Sequence, residues 1–156
     1  MNAERGKDRS SPKRQILIVD DHAIIREGLT LLINQENDLE VCATAANADD
    51  ALEIIKNNNV DLAVVDISLD GTSGLQLTER IKAHNAHLPV LILTMHDEEL
   101  YAKRAFRAGA GGFVTKHEAS ETIITAIRMM LEGQNYVSDS MTQKFLKKIH
   151  GDNTGL

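Results

Sequence analysis

The chain has 156 residues but only one cysteine, Cys42, two prolines and no tryptophan. A single thiol excludes an intramolecular disulfide and fits a reducing compartment. Set between Val41 and Ala43, Cys42 is expected to be a small buried hydrophobe. Aromatic residues make up 3% of the chain, too few for the platforms on which single-stranded nucleic acids stack. No apolar run approaches the roughly 20 residues of a bilayer span. The polar N-terminus also lacks the apolar segment of a secretory signal. A cytoplasmic location without membrane association is therefore expected.

Positive charge is scarce outside the N-terminus. Residues 1–14 carry Arg5, Lys7, Arg9, Lys13 and Arg14 against Glu4 and Asp8, about +3, which leaves the remainder near −9 within an overall −6. Phosphate backbones would not seek so acidic a body. Residues 1–14 show no apolar periodicity and read as a disordered basic leader. The length suits one compact domain with tails.

Short apolar runs rich in β-branched residues recur and end in polar side chains. Residues 16–19 run into Asp20-Asp21, residues 62–65 into Asp66, and residues 90–93, opened by Pro89, into Thr94. Gly112–Thr115 runs into Lys116, and residues 39–43 form a weaker fifth strand. Runs this short, apolar throughout, read as strands buried on both faces.

Helical spacing fills the gaps between them. Ile25, Leu29 and Leu32 make one face of residues 22–34, widened by Ile24, Leu31 and Ile33. Ala51, Leu52 and Ile55 face inward behind Asn47 or Asp49 as cap, and Leu75, Leu77 and Ile81 follow the loop Gly71-Thr72-Ser73-Gly74. Residues 97–108 are acidic first and basic later, as the helix dipole favours, with Gly109 as the stop. Residues 119–131 place Ile123, Ile124, Ile127 and Leu131 inward before Gly133. Residues 134–156, with Met141, Phe145, Leu146 and Ile149 at helical spacing, read as a linker or short terminal helix.

Strands alternating with helices on short connections predict an α/β fold. The expected form is a doubly wound, five-stranded parallel sheet of flavodoxin-like order 2-1-3-4-5, with right-handed crossovers and five flanking helices. Asp20, Asp21, Asp66, Thr94 and Lys116 would then share the carboxyl edge, where such sheets bind ligands. Crowded carboxylates repel unless a cation intervenes, and an oxygen-rich, sulfur-free set suits Mg²⁺. A hydroxyl and an ammonium opposite suit the oxygens of a phosphoryl group, so the set describes phosphoryl transfer onto a carboxylate. The six histidines, His22, His84, His87, His96, His117 and His150, show no metal-ligand clustering along the chain, and zinc is not expected.

Residues 15–133 resemble a receiver domain of the two-component response-regulator family. The matching residues are Ile16-Leu17-Ile18-Val19-Asp20-Asp21-His22, Asp66 with Gly74, Thr94, and the run from Ala108 to Lys116. The resemblance implies that Asp66 accepts phosphate from the phosphohistidine of a sensor histidine kinase. It implies that Asp20, Asp21, Asp66 and the backbone carbonyl of Ser68 hold Mg²⁺, that Lys116 and Thr94 contact the phosphate, and that Thr94 and Phe113 form a switch pair. His22, the loop from Thr94 to Asp97 and the run from Gly133 to Ser138 are similar to the NarL/FixJ-type branch. Members of that branch carry a LuxR-type helix-turn-helix that binds DNA, and a homodimer is expected from the family. Fewer than 20 residues follow residue 138, so the chain is expected to be a receiver fragment or a stand-alone receiver.

Three positions depart from the family pattern. Asp70 stands where proline is usual, which loosens the loop or adds charge beside the metal. His117 replaces a proline often in a cis bond; a cis non-proline bond costs about 3 kcal/mol, so the bond is trans or held under strain. Met95 replaces a small residue and is expected to slow small phosphodonors.

Two rival functions compete with the signalling switch. A phosphatase of the haloacid-dehalogenase type also forms an aspartyl phosphate but needs an aspartate two residues after the nucleophile, where this chain has Ser68. An interaction module without phosphorylation would not need the acceptor, metal and lysine set. The expectation is a receiver that catalyses only its own phosphorylation and dephosphorylation, and is otherwise no enzyme.

Overall fold

The computed structural model describes residues 12–69, 71–95 and 99–137. The leader up to residue 11, Asp70, the acidic start expected at Asp97 and Glu98, and the terminal segment 138–156 lie outside the described residues.

Among the described residues, eight strands and five helices follow one another as β1 (Arg14–Val19), α1 (Ala23–Asn34), β2 (Leu39–Ala45), α2 (Ala48–Asn57), β3 (Leu62–Asp66), β4 (Ser68–Leu69), β5 (Thr72–Ser73), α3 (Gly74–His84), β6 (Val90–Thr94), α4 (Glu99–Arg107), β7 (Gly112–Thr115), α5 (Ala119–Leu131) and β8 (Tyr136–Val137). The main sheet has the order β2-β1-β3-β6-β7-β8 and is parallel throughout. Its first five positions reproduce the expected 2-1-3-4-5 winding. Chain reversal therefore falls between β1 and β3, where the crossovers leave toward opposite faces and open a crevice at the carboxyl ends.

The strands are apolar throughout because both faces are covered. Every residue of β3, β6 and β7 is buried. On one face Leu17, Val65, Ile92 and Phe113 pack with Leu52, Leu77, Ile81 and Ala105; on the other Ile16, Val64 and Leu91 pack with Leu29, Ile33, Ile123 and Ile127. Asn47 caps α2, its side chain accepting the Asp50 N–H at 2.8 Å, and Ser73 caps α3 by accepting the Gln76 N–H at 3.1 Å. Helix α4 stops before Gly109, whose φ of +107° only glycine adopts without strain.

Four sequence expectations change. A sixth strand, β8, lies in what reads as linker: the Tyr136 N–H donates to Gly111 O at 2.9 Å, and Tyr136 and Val137 pair with Gly112 and Phe113. Two residues carry no periodicity, so only the open edge of β7 defines this strand. The Gly71-to-Gly74 loop is partly ordered as the antiparallel β4–β5 ladder, Ser68 opposite Ser73 and Leu69 opposite Thr72. Cys42 is exposed. The register skips it, Ile16 pairing with Val41 and Leu17 with Ala43, so Cys42 is the bulged residue of an edge strand, and bulges favour such edges. Ile24 and Leu31 are 81% and 70% exposed and do not widen the buried face of α1. They stand two helical turns apart, on the side turned away from the sheet.

Candidate functional site

The carboxyl edge gathers the charged residues because each parallel strand ends there. Asp20 follows β1, and its N–H still donates to Ala45 O at 3.0 Å, so the ladder fixes its backbone. Arg26, one turn into α1, donates to the Asp20 carbonyl at 2.7 Å. The Asp20 side chain is fully buried. Its Oδ1 accepts the His22 N–H at 2.8 Å and lies 2.7 Å from His22 Nδ1, while its Oδ2 lies 2.8 Å from Lys116 Nζ.

Asp66 closes β3 and is 2% exposed. The Ser68 N–H donates to its Oδ1 at 3.3 Å, and its Oδ2 lies 3.3 Å from Lys116 Nζ and 3.8 Å from His22 Nδ1. Burial pushes the Asp66 carboxyl above the usual carboxylate range; the Asp20 charge adds to this, and Lys116 with the Ser68 N–H opposes it. Asp21 is more open, its Oδ1 3.1 Å from His22 Nδ1. Lys116, after β7, keeps only 7% of its side chain exposed, and its N–H donates to Thr94 O at 2.7 Å.

Thr94 is fully buried at the end of β6, one residue beyond the Asp66–Leu93 register pair. The neighbouring Met95 is 66% exposed. Phe113 is 2% exposed and points into the core shared with α2, α3 and α4, opposite Ile92 in register. It lies inside the sheet layer and outside the charged cluster. No cis peptide occurs among the described residues, so the Lys116–His117 bond is trans.

Gly74 explains how the loop after Asp66 closes. Its N–H donates to Ile67 O at 2.7 Å, and a Cβ there would overlap the Asp66 carbonyl oxygen. Only the absence of a side chain lets α3 start so close to the end of β3.

The cluster has room for a cation by charge and by donor set. Asp20, Asp21, His22 and Asp66 each offer one ligand atom, all within 4.8 Å of one another. Asp20 Oδ2 and Asp66 Oδ2 are buried, and among the described residues the Lys116 ammonium is the one cation that both of them face. Three carboxylates face one ammonium, and a divalent ion would balance them. His22, which shows no clustering with the other histidines along the chain, has its ring nitrogen within this group of side chains. Its signal was its place directly after Asp21, at the mouth of α1. Arg26 is also part of the site's support and was missed.

A doubly wound sheet with an acidic, metal-competent pocket at its carboxyl edge defines the class. The family model for the response regulator receiver domain matches residues 16–128, and the chain belongs to that family. It is 34% identical over 143 residues to the oxygen regulatory protein NreC of Staphylococcus haemolyticus, covering 88% of this chain and 66% of that protein. The chain thus spans just under two thirds of that relative. A LuxR-family two-component response regulator from Aurantimonas sp. SI85-9A1 matches at 34% identity and a TM-score of 0.83, over 87% of this chain and 97% of that one. The receiver domain of the NarL regulator from Mycobacterium tuberculosis matches at 28% identity and a TM-score of 0.74, over 78% and 98%. No helix among the described residues is long and apolar enough to cross a membrane.

Proposed function

We propose that the chain is a phosphorylation-dependent signalling switch of a two-component system, with Asp66 as phosphoacceptor and a sensor histidine kinase as donor. The observation that carries this reading is Asp66 Oδ2, buried and 3.3 Å from the Lys116 ammonium at the carboxyl edge of the sheet. That oxygen attacks phosphorus, the bond from phosphorus to the donor imidazole nitrogen breaks, and the imidazole leaves with its electron pair and takes up a proton. Asp20, Asp21, Asp66 and the Ser68 carbonyl would hold Mg²⁺, which when bound offsets the charge of the carboxylates and the phosphoryl oxygens. Lys116 supplies a fixed positive charge to the transferred group and Thr94 a hydroxyl donor.

Once phosphorylated, Asp66 draws Thr94 toward the new oxygens and stabilises Phe113 turned inward. Phe113 already lies inward in the structure, so phosphorylation acts by shifting population toward an arrangement the packing admits. The surface of α4 and β7 changes with it and drives self-association into a homodimer. Output then passes to a LuxR-type DNA-binding domain in the whole protein, as the LuxR-family neighbour suggests, in the cytoplasm and apart from membranes. The receiver catalyses only its own phosphorylation and dephosphorylation. We place residues 15–133 as the receiver, residues 1–14 as a leader and residues 134–156 as the connection toward output.

Labelling with acetyl phosphate or a phosphorylated histidine kinase tests the reading. The expected result is a single Mg²⁺-dependent label, lost in Asp66→Asn. A label that persists in Asp66→Asn overturns it, and sustained phosphate release from a simple ester would favour the phosphatase.

A further inference from the structure

Helix α1 carries a glycine that its own packing does not require. Gly28 lies in the helix interior, where glycine weakens a helix relative to alanine. Its φ is not left-handed, and a Cβ built on it would meet nothing within 4 Å. Neither backbone conformation nor a neighbour accounts for it. Gly28 opens onto a groove of about 350 Å³ between Ile24, Ile25 and Leu32 of α1 and Ala119 and Ser120 of α5. Ile24, Gly28 and Leu32 are spaced by four, so they form one stripe along the helix, and the missing side chain at its centre admits a close backbone approach. Ile24 and Gly28 are exposed, and Leu32 is half-buried.

Strand β8 directs the chain toward this groove. It runs parallel to β7 with Val137 opposite Phe113, so the chain leaves Val137 heading for the carboxyl edge, where α1 and α5 both begin. Residues 138–156 lie outside the described residues, and their sequence carries a two-faced pattern. Met141, Phe145, Leu146 and Ile149 share one side of a helix, and Lys144, Lys147 and Lys148 the other. The reach suffices. Helix α5 is about 10 Å wide with its side chains, while three extended residues and one helical turn cover about 15 Å. Phe145 and Leu146 can therefore pass the start of α5 and arrive at the groove. Charge agrees with this course: Asp21, Glu27 and Glu121, all exposed near the groove, would face the lysines at its rim.

We propose that residues 141–149 dock as a helix in the α1–α5 groove of their own chain, with the Phe145 and Leu146 side seated over Gly28. The connection toward output is then held against α1 and α5. Because one chain supplies both surfaces, the contact forms without a partner and does not depend on protein concentration.

The test uses the full chain in a Cys42→Ser background, with Lys147→Cys carrying a nitroxide on the basic side and isotope-labelled Ile and Leu methyl groups followed by NMR. Broadening is expected at Ile24, Ile25 and Leu32. None is expected at Leu52 and Ile55, which pack on the other face of the sheet. Gly28→Leu fills the groove with a good helix former where no atom stands in the way, and it should abolish the broadening. Phe145→Ser should do the same with the groove untouched, and it carries the test should Gly28→Leu disturb α1. Broadening that survives both substitutions overturns the proposal. Broadening centred on Leu100 of α4, or none at any particular methyl, overturns it equally. Chains bearing the nitroxide are also mixed with methyl-labelled chains lacking it. Broadening that crosses between chains means that a second copy fills the groove, and it too overturns docking within one chain.

Discussion

At the scale of single residues, Asp66 is held in a state that opposes its own charge. Its carboxyl is raised above the ordinary value of 3.8, chiefly by burial and then by Asp20. The folded protein therefore binds the Asp66 proton more tightly than the unfolded chain, and the Asp66 contribution to stability falls as pH rises from about 3.8 through the raised folded value. In metal-free buffer, Asp66→Asn is expected to melt higher than wild type at neutral pH, with the gap closing below pH 3.8; calorimetry across that range checks it. Gly74→Ala should act in the opposite direction. The added methyl meets the Asp66 carbonyl oxygen, so about 1–3 kcal/mol of stability should be lost, measured by denaturant unfolding, with slower labelling of Asp66. Asp66, Asp20 and Lys116 were legible in the sequence because each ends an apolar strand. His22 was not, because no run along the chain shows that its ring folds back over Asp20.

At the scale of elements, the long ones announced themselves and the short ones did not. Helix α5 spans Ala119–Leu131 as its apolar spacing predicts, and β7 spans Gly112–Thr115 likewise. Strands β4, β5 and β8 have two residues each, and hydrogen bonds from neighbours define them more than composition does. The bulge at Cys42 was hidden for a related reason: register belongs to a pair of strands and cannot be read from one of them. Between elements, Arg128 of α5 reaches the turn before β2, 2.6 Å from Glu36 and 2.7 Å from Asp38. Its hydrogen bond holds the Asp38 carboxyl below the usual range. The pair is about half exposed, so Arg128→Ala should cost on the order of 1 kcal/mol or less, and chemical denaturation at low and high salt should show the difference shrinking with salt.

At the scale of the molecule, winding order brings together residues separated by nearly a hundred positions in the chain. Lys116 and His22 meet over a sequence separation of 94. The order 2-1-3-4-5 was legible from alternating elements, and the shared edge follows from parallel strands. The burial of Phe113 was legible from its apolar strand, but the face it enters was not, because a strand buried on both faces reads alike on either. A divalent ion that binds only the folded chain stabilises it by mass action, about 2.7 kcal/mol at a hundred times the dissociation constant. Thermal unfolding should therefore move upward with added Mg²⁺ or Mn²⁺, return with chelator, and stay unmoved in Asp20→Asn.

The bulge on β2 has a practical consequence of its own. It presents the sole thiol of the chain on an edge strand, with the sulfur 3.5 Å from the Ile16 carbonyl and its pKa pushed up by partial burial. A maleimide dye or nitroxide can therefore be attached at one defined place without altering the sequence, in mildly alkaline buffer where the thiolate is more abundant. The β1–β2 pairing anchors that probe to the same strand that delivers Asp20, so the unmodified chain comes with its own reporter for ordering at the pocket.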